Sequence, residues 1–269
     1  MNDAQKVIKY VAISLAILLI VTIISSLVYL FNALGNTFSF DKEYNDNLEM
    51  INLNEEFNNI TIDLKSTDLI IKYSDKLKLE VTSNINYTID NNLLLIKENK
   101  NNLFKNRNNL VTLYIPSDKV YNDVKIANGA GIINIEKIAA NNLHLELGAG
   151  KVVIDNLETY TSTMIDGGAG KIDINNGLIS YLNFDMGVGE VNLTARVLGK
   201  SEIDCGIGAA NINLLGNSND YQIDVDKGIG EFTIDNVSVH DEDIYGSGIN
   251  SLDVDSGLGK VTIKFINNR

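Results

Sequence analysis

The sequence predicts an all-β fold: a single-stranded parallel β-solenoid, or β-helix, of about seven regular coils. Imperfect β coils precede it, and one transmembrane helix precedes those. Three observations carry this expectation. Apolar residues alternate with polar ones from Asn59 onward, the period-two pattern of half-buried strands. Pairs of glycines separated by one residue recur seven times at a near-constant interval. An uncharged apolar run stands near the N-terminus.

The run is Val11 to Phe31, 21 residues without a charge. A helix needs about 20 apolar residues to cross a bilayer core. Lys6 and Lys9 precede it, and the next basic residue is Lys42. The positive-inside rule then puts the N-terminus in the cytoplasm and the chain from about residue 35 outside. A cleaved signal peptide ending near Ala33-Leu34-Gly35 is the competing reading. The run exceeds the usual apolar core of a signal, about 7–15 residues, which favours a retained anchor. The expected layout is a cytoplasmic segment 1–10, a transmembrane helix 11–31, a stalk 32–57, an imperfect β-rich part 58–120 and a regular solenoid 121–265.

In the imperfect part, Ile60, Ile62 and Leu64 alternate with polar residues before Leu69-Ile70-Ile71. Short strands are expected near 77–82, 85–89 and 93–97, and again at Val111 to Ile115, closed by Pro116. Residues 98–109 read as a charged, Asn-rich loop.

The glycine pairs are Gly129/Gly131, Gly148/Gly150, Gly168/Gly170, Gly187/Gly189, Gly206/Gly208, Gly228/Gly230 and Gly257/Gly259. First glycines are 19, 20, 19, 19, 22 and 29 residues apart. Such a period marks a repeat architecture. Aligned on the first glycine, columns five and three before it and four and six after it are almost wholly apolar. The residue between the glycines is apolar too: Ala130, Ala149, Ala169, Val188, Ile207, Ile229 and Leu258. The expectation is one coil per repeat, two short strands flanking a turn, each coil stacked on the next at about 4.8 Å. The paired glycines would supply positive φ at that turn, with the residue between them pointing into a core of five apolar columns. The longest step holds His240-Asp241-Glu242-Asp243 to Gly248, expected to protrude as a loop.

Leu145-Glu146-Leu147-Gly148-Ala149-Gly150-Lys151-Val152-Val153-Ile154, its six sister segments and Leu113-Tyr114-Ile115-Pro116 resemble a bacterial putative-adhesin family, a domain of unknown function. The resemblance spans about residues 58–265. It implies a membrane-anchored, Gly-rich β-solenoid at the cell surface and carries no catalytic residues.

The charge balance is 22 basic against 35 acidic residues, a net −13. That argues against a basic patch for nucleic acid. One cysteine, Cys205, rules out an internal disulfide framework. Phosphate-loop, zinc-protease and serine-elbow motifs are absent from the sequence. The sharpest chemical feature is the column two residues before each first glycine: Glu146, Asp166, Asp185, Asp204, Asp226 and Asp255, with Ala127 in the first repeat. In register, these carboxylates would form a ladder able to take Ca²⁺ or a cationic partner. The local alternative, which weighs more, is that each acid caps its corner by accepting backbone N–H groups. His144 reads as an exposed strand residue, Cys205 as an inert thiol and His240 to Asp243 as a solvated loop. The leading functional expectation is a non-enzymatic surface or envelope module without a cofactor. Its partner would be a protein or cell-wall polymer. A regulatory part in envelope-stress sensing is the alternative, and a polysaccharide-active enzyme the weakest.

Overall fold

A computed structural model of the chain describes Lys9, Tyr10, Ser14, Leu15, Leu18, Thr22, Tyr44 and residues 48–99 and 109–267. Two compact units divide it, Met1–Thr37 and Phe38–Arg269. In the first, the described residues are helical. Most of the expected transmembrane helix 11–31 lies outside the described residues. Among those described, no helix is long and apolar enough to cross a membrane.

The second unit is all-β, one open sheet wound into a solenoid-like stack. Its strands, in chain order, begin with β1 (Leu48–Asn52), β2 (Asn59–Leu64), β3 (Asp68–Tyr73), β4 (Lys78–Thr82) and β5 (Ile85–Asp90). Next come β6 (Leu93–Glu98), β7 (Leu110–Ile115), β8 (Tyr121–Ile174), β9 (Gly177–Ser180) and β10 (Leu182–Leu198). The last are β11 (Lys200–Leu215), β12 (Tyr221–Ile234), β13 (Val237–Ser238), β14 (Ile244–Gly246) and β15 (Asn250–Ile266).

The glycine corners are not turns between two strands, which corrects that expectation. Gly129, Gly131, Gly148, Gly150, Gly168 and Gly170 all lie inside β8. Gly187 and Gly189 lie inside β10, Gly206 and Gly208 inside β11, Gly228 and Gly230 inside β12, and Gly257 and Gly259 inside β15. The backbone bends there without leaving the ladder, because the neighbouring coil bends at the same residue and keeps pairing with it.

Pairing between successive coils is parallel and in register, so Gly189 lies beside Gly170 and Gly208 beside Gly189. The two ends depart from sequence order. Sequential stacking would set Gly230 beside Gly208, with Gly259 outermost. Instead Gly259 lies beside Gly208, and Gly230 lies beyond Gly259. β15 therefore pairs with β11 on one side and β12 on the other, and the last coil in sequence is next to last in space. At the other end, β2 lies between β6 and β8, and β3 between β7 and β8. Simple sequential stacking fails at both ends for one reason. Each outermost coil carries antiparallel strands on its free edge: β5 on β6 and β4 on β7 at one end, β13 and β14 on β12 at the other. Those additions blunt edges that would otherwise template aggregation.

The insertion at 240–248 belongs to this cap and is no free loop. Val225 N donates to Asp243 O, Glu242 N to Val225 O, and Lys227 N to an Asp241 carboxylate oxygen at 2.8 Å. The expected stalk also ends early. Leu48–Asn52 pairs with β4, and Leu53 and Phe57 are buried in the common core. The described residues of 58–120 supply two coils and an end cap to the same stack, and share that core.

Four columns, not five, build the core. Positions −3, +4 and +6 from the first glycine are buried in all seven repeats, as in Phe184, Val191 and Leu193. The −5 column is buried throughout even where polar. There the Thr163 hydroxyl donates to Ser180 O, and Leu182 N donates to the Ser201 hydroxyl, which offsets the cost of burying them. The column between the glycines stays outside: Ile229 is 75% exposed.

The abundant asparagines also have a structural role. Asn211 Nδ2 donates to Asn192 Oδ1, Asn192 Nδ2 to Asp173 and Asn175 Nδ2 to Asp155, each 19 or 20 residues back. Side-chain amides thus repeat the backbone ladder on the outer faces.

Candidate functional site

Each corner is shaped by what lies one coil away. Gly150 has φ +153°, a backbone region that L side chains rarely adopt. Gly148 has no positive φ; a Cβ there would run into the Gly129 carbonyl oxygen. The first glycine of a pair thus answers close stacking alone, and the second answers both stacking and backbone geometry, a division that corrects the expectation of two positive φ values. The transposed end keeps the same division. Gly259 has φ +153° and Gly230 φ +146°, and their Cβ atoms would meet the carbonyl oxygens of Gly208 and Gly259. These two glycines thus fit one another out of sequence order. The coil formed by β2 and β3 needs neither glycine. Its corner is Lys65-Ser66-Thr67, and Lys65 N and Ser66 N donate to a Glu98 carboxylate oxygen at 2.7 and 3.0 Å.

The acidic column runs beside this corner. Its order in space is Asp63, Ala127, Glu146, Asp166, Asp185, Asp204, Asp255, Asp226. Asp63 and the final transposition escape a reading based on glycines, because the β2–β3 corner has none. Spacing held the signal: Ile60, Ile62, Leu69 and Ile71 fit the frame of Val124, Ile126, Ile133 and Ile135.

Among the described residues, none of the six aligned acids accepts a hydrogen bond from a corner amide, so corner-capping is not their role. Their partners there are side chains. Lys125 Nζ lies 2.6 Å from Glu146 Oε1, and His144 Nε2 lies 3.3 Å from Glu146 and 3.0 Å from Asp166. The Lys125 hydrogen bond, ahead of its charge and that of His144, holds the Glu146 carboxyl below its usual range. Glu146, Asp166, Asp185, Asn128 and three corner glycines line an open groove of about 510 Å³.

Among the described residues, the acids of the other half of the ladder have no Lys or His within ion-pair distance. A second outward column, four before the first glycine, adds Glu202, Asp253 and Asp224 there. Glu202, Asp204 and Asp255 each offer an oxygen, all within 4.8 Å of one another. Asp204 is half-buried as a residue, but its Oδ1 is shut off from solvent and lacks a hydrogen-bond partner. Burial first, then the Asp185 hydrogen bond and the charges of Asp255, Asp185 and Glu202, push the Asp204 carboxyl up to about 7. Burial and the Asp204 charge push the Cys205 thiol up to about 11, which keeps it protonated and unreactive at neutral pH. His240 is exposed within the end cap, where its backbone N–H donates to Asp243.

Glycine corners, in-register coils and a shared apolar interior define a repeat module of solenoid type. The chain belongs to the Toastrack DUF4097 family, whose model matches residues 49–264. This bears out the resemblance read from the glycine-containing segments. Solved structures with a similar course include a putative cell adhesion protein from Clostridium sporogenes, at 17% identity over 82% of this chain and 99% of that one, with a TM-score of 0.37. Another is a putative adhesin from Bacteroides fragilis, at 15% identity over 82% and 98% with a TM-score of 0.31. A putative lipid binding protein from Parabacteroides distasonis gives 15% identity over 83% and 98% and a TM-score of 0.32. These likenesses assign no ligand. No curated protein matches the chain.

Proposed function

We propose that the chain is a non-enzymatic module of the cell envelope, held in the membrane by residues 11–31 with its N-terminus in the cytoplasm. The stack outside binds a cationic macromolecule, a protein or a modified cell-wall polymer. One observation carries this reading. The in-register coils present a straight acidic column beside a ridge of part-exposed apolar residues, running Ala149, Ala169, Val188, Ile207, Leu258, Ile229 in space. Charge on such a face speeds encounter and selects partners, and the ridge adds apolar area to bury. Repetition along one axis suits an extended partner.

Capture of cell-wall material and secreted proteins by the full chain tests this. Reversing Asp185 and Asp226 to Lys should reduce capture at least tenfold; capture unchanged by the reversal overturns the reading. The anchor has its own test. The intact N-terminus should be found in the membrane fraction, whereas a mature chain starting near Asn36 would refute retention.

No cofactor enters this reading. Glu202, Asp204 and Asp255 bring together one oxygen each, three of the six to eight that Ca²⁺ takes. Calcium titration should leave Tm unchanged, and a clear rise would make Glu202, Asp204 and Asp255 a cation site.

A further inference from the structure

Asp204 sits in an unusual place for a carboxylate. Register sets Asp185 of β10 on one side and Asp255 of β15 on the other, at the inter-strand spacing of about 4.8 Å. Glu202 lies two residues back on its own strand and Asp253 faces Glu202 from β15, with Asp226 of β12 one coil beyond Asp255. Cys205 follows on the chain and stays protonated. On these four coils the two outward columns hold no Lys or Arg. Like charges at that distance repel by about 1 kcal/mol per pair even in water, and Asp204 Oδ1 is shut off from solvent without a hydrogen-bond partner.

We propose that Asp185, Asp204 and Asp255 form a proton-operated clasp: Asp204 takes up one proton in mildly acidic medium and donates it to a neighbouring carboxylate, tightening β15 on β11. Loss of that proton leaves three adjacent carboxylates and loosens the C-terminal coils, β15 and β12. The directions of titration agree. Burial first, then Asp185, Asp255 and Glu202 beside it, favour the protonated form of Asp204. Asp255 is raised too, by burial first and then by Asp226 and its other acidic neighbours.

The sign of the linkage follows. Asp204 binds its proton more tightly in the folded chain, at about 7 against an ordinary 3.8. Its stabilisation is complete below the ordinary value and is lost as pH rises through about 7. A chain with this clasp is firmer in an acidified surrounding than at pH 8. The acidic face meanwhile gives up charge there.

The test uses the full chain in detergent micelles. From pH 8 to pH 5.5, Tm should rise by about 2–5 °C, and amide protection over residues 250–266 should rise severalfold. Asp204→Asn, a neutral isostere, should remove most of both changes and melt above the wild type at pH 8. A flat wild-type profile, or a slope that survives in Asp204→Asn, overturns the proposal. The Asp204 carboxyl carbon, followed by NMR in the unaltered chain, decides the matter even if the variant does not fold. A midpoint near 7 supports the clasp, and one near 4 overturns it.

Discussion

Gly208→Ala is expected to destabilise the stack by about 3–5 kcal/mol. Gly208 has φ +143°, and a Cβ built there would overlap the Gly189 carbonyl oxygen of the next coil. Backbone strain of this kind costs about 1–3 kcal/mol. Relieving the overlap requires the two coils to part at a corner where their backbones meet directly, and a loss above about 4 kcal/mol marks such a mechanism. Denaturant unfolding of the variant measures it. Ala169→Ser is the matched control: it lies between two corner glycines but points outward, so its change should stay within about 0.5 kcal/mol. A loss below 1 kcal/mol for Gly208→Ala would show that the corner tolerates a side chain, and the stacking account would fail.

The same corner shows where sequence reading reaches its limit. Alternation and the glycine period expose four core columns directly, because burial acts on every second residue and repeats with each coil. The fate of the residue between the glycines is different. Ile207 and Ile229 are apolar, yet apolarity cannot tell a core position from an exposed ridge. Here the tight backbone stacking at Gly206 and Gly208 leaves the intervening side chain only the outer side of the bend. Asparagine frequency suggests turns, whereas Asn192 and Asn211 bond to each other across coils 19 residues apart. That role becomes visible only once the coils are in register.

The acidic ladder was legible as a column, but its division was not. Glu146 and Asp166 share His144, and Glu146 also holds Lys125; both partners come from the same column of the frame, one coil apart. Asp204 has no such neighbours and gains Asp255 through a pairing that skips β12. Sequence spacing would have placed Asp226 beside it, just as it would have placed Gly230 beside Gly208. Electrostatics in this face thus depends on coil order, and coil order depends on which coil bears the end cap.

Ser256→Cys should form a disulfide with Cys205 in nearly all molecules under mild oxidation. Register puts Cys205 of β11 beside Ser256 of β15. In-register parallel neighbours lie about 4.8 Å apart, within the Cα separation of about 4.4–6.8 Å that a disulfide spans. Closing a loop of roughly 50 residues should raise stability by about 3–4 kcal/mol. Lys227→Cys is the discriminating control. Lys227 lies beside Ser256, on the far side of β15 from Cys205, at about 10 Å from Cys205, and should not cross-link within the chain. Sequential stacking predicts the reverse outcome for the two variants, so gel mobility without reductant and an intact mass lower by about 2 Da decide between them. The high thiol pKa of Cys205 slows the reaction, because the thiolate is the attacking form, without changing which variant reacts. The transposed order has a physical basis: β12 bonds β13, β14 and the Asp241 carboxylate on its outer edge, so it can only be the end of the stack. β15 has strands on both edges, and a cross-link to β11 would fix it there.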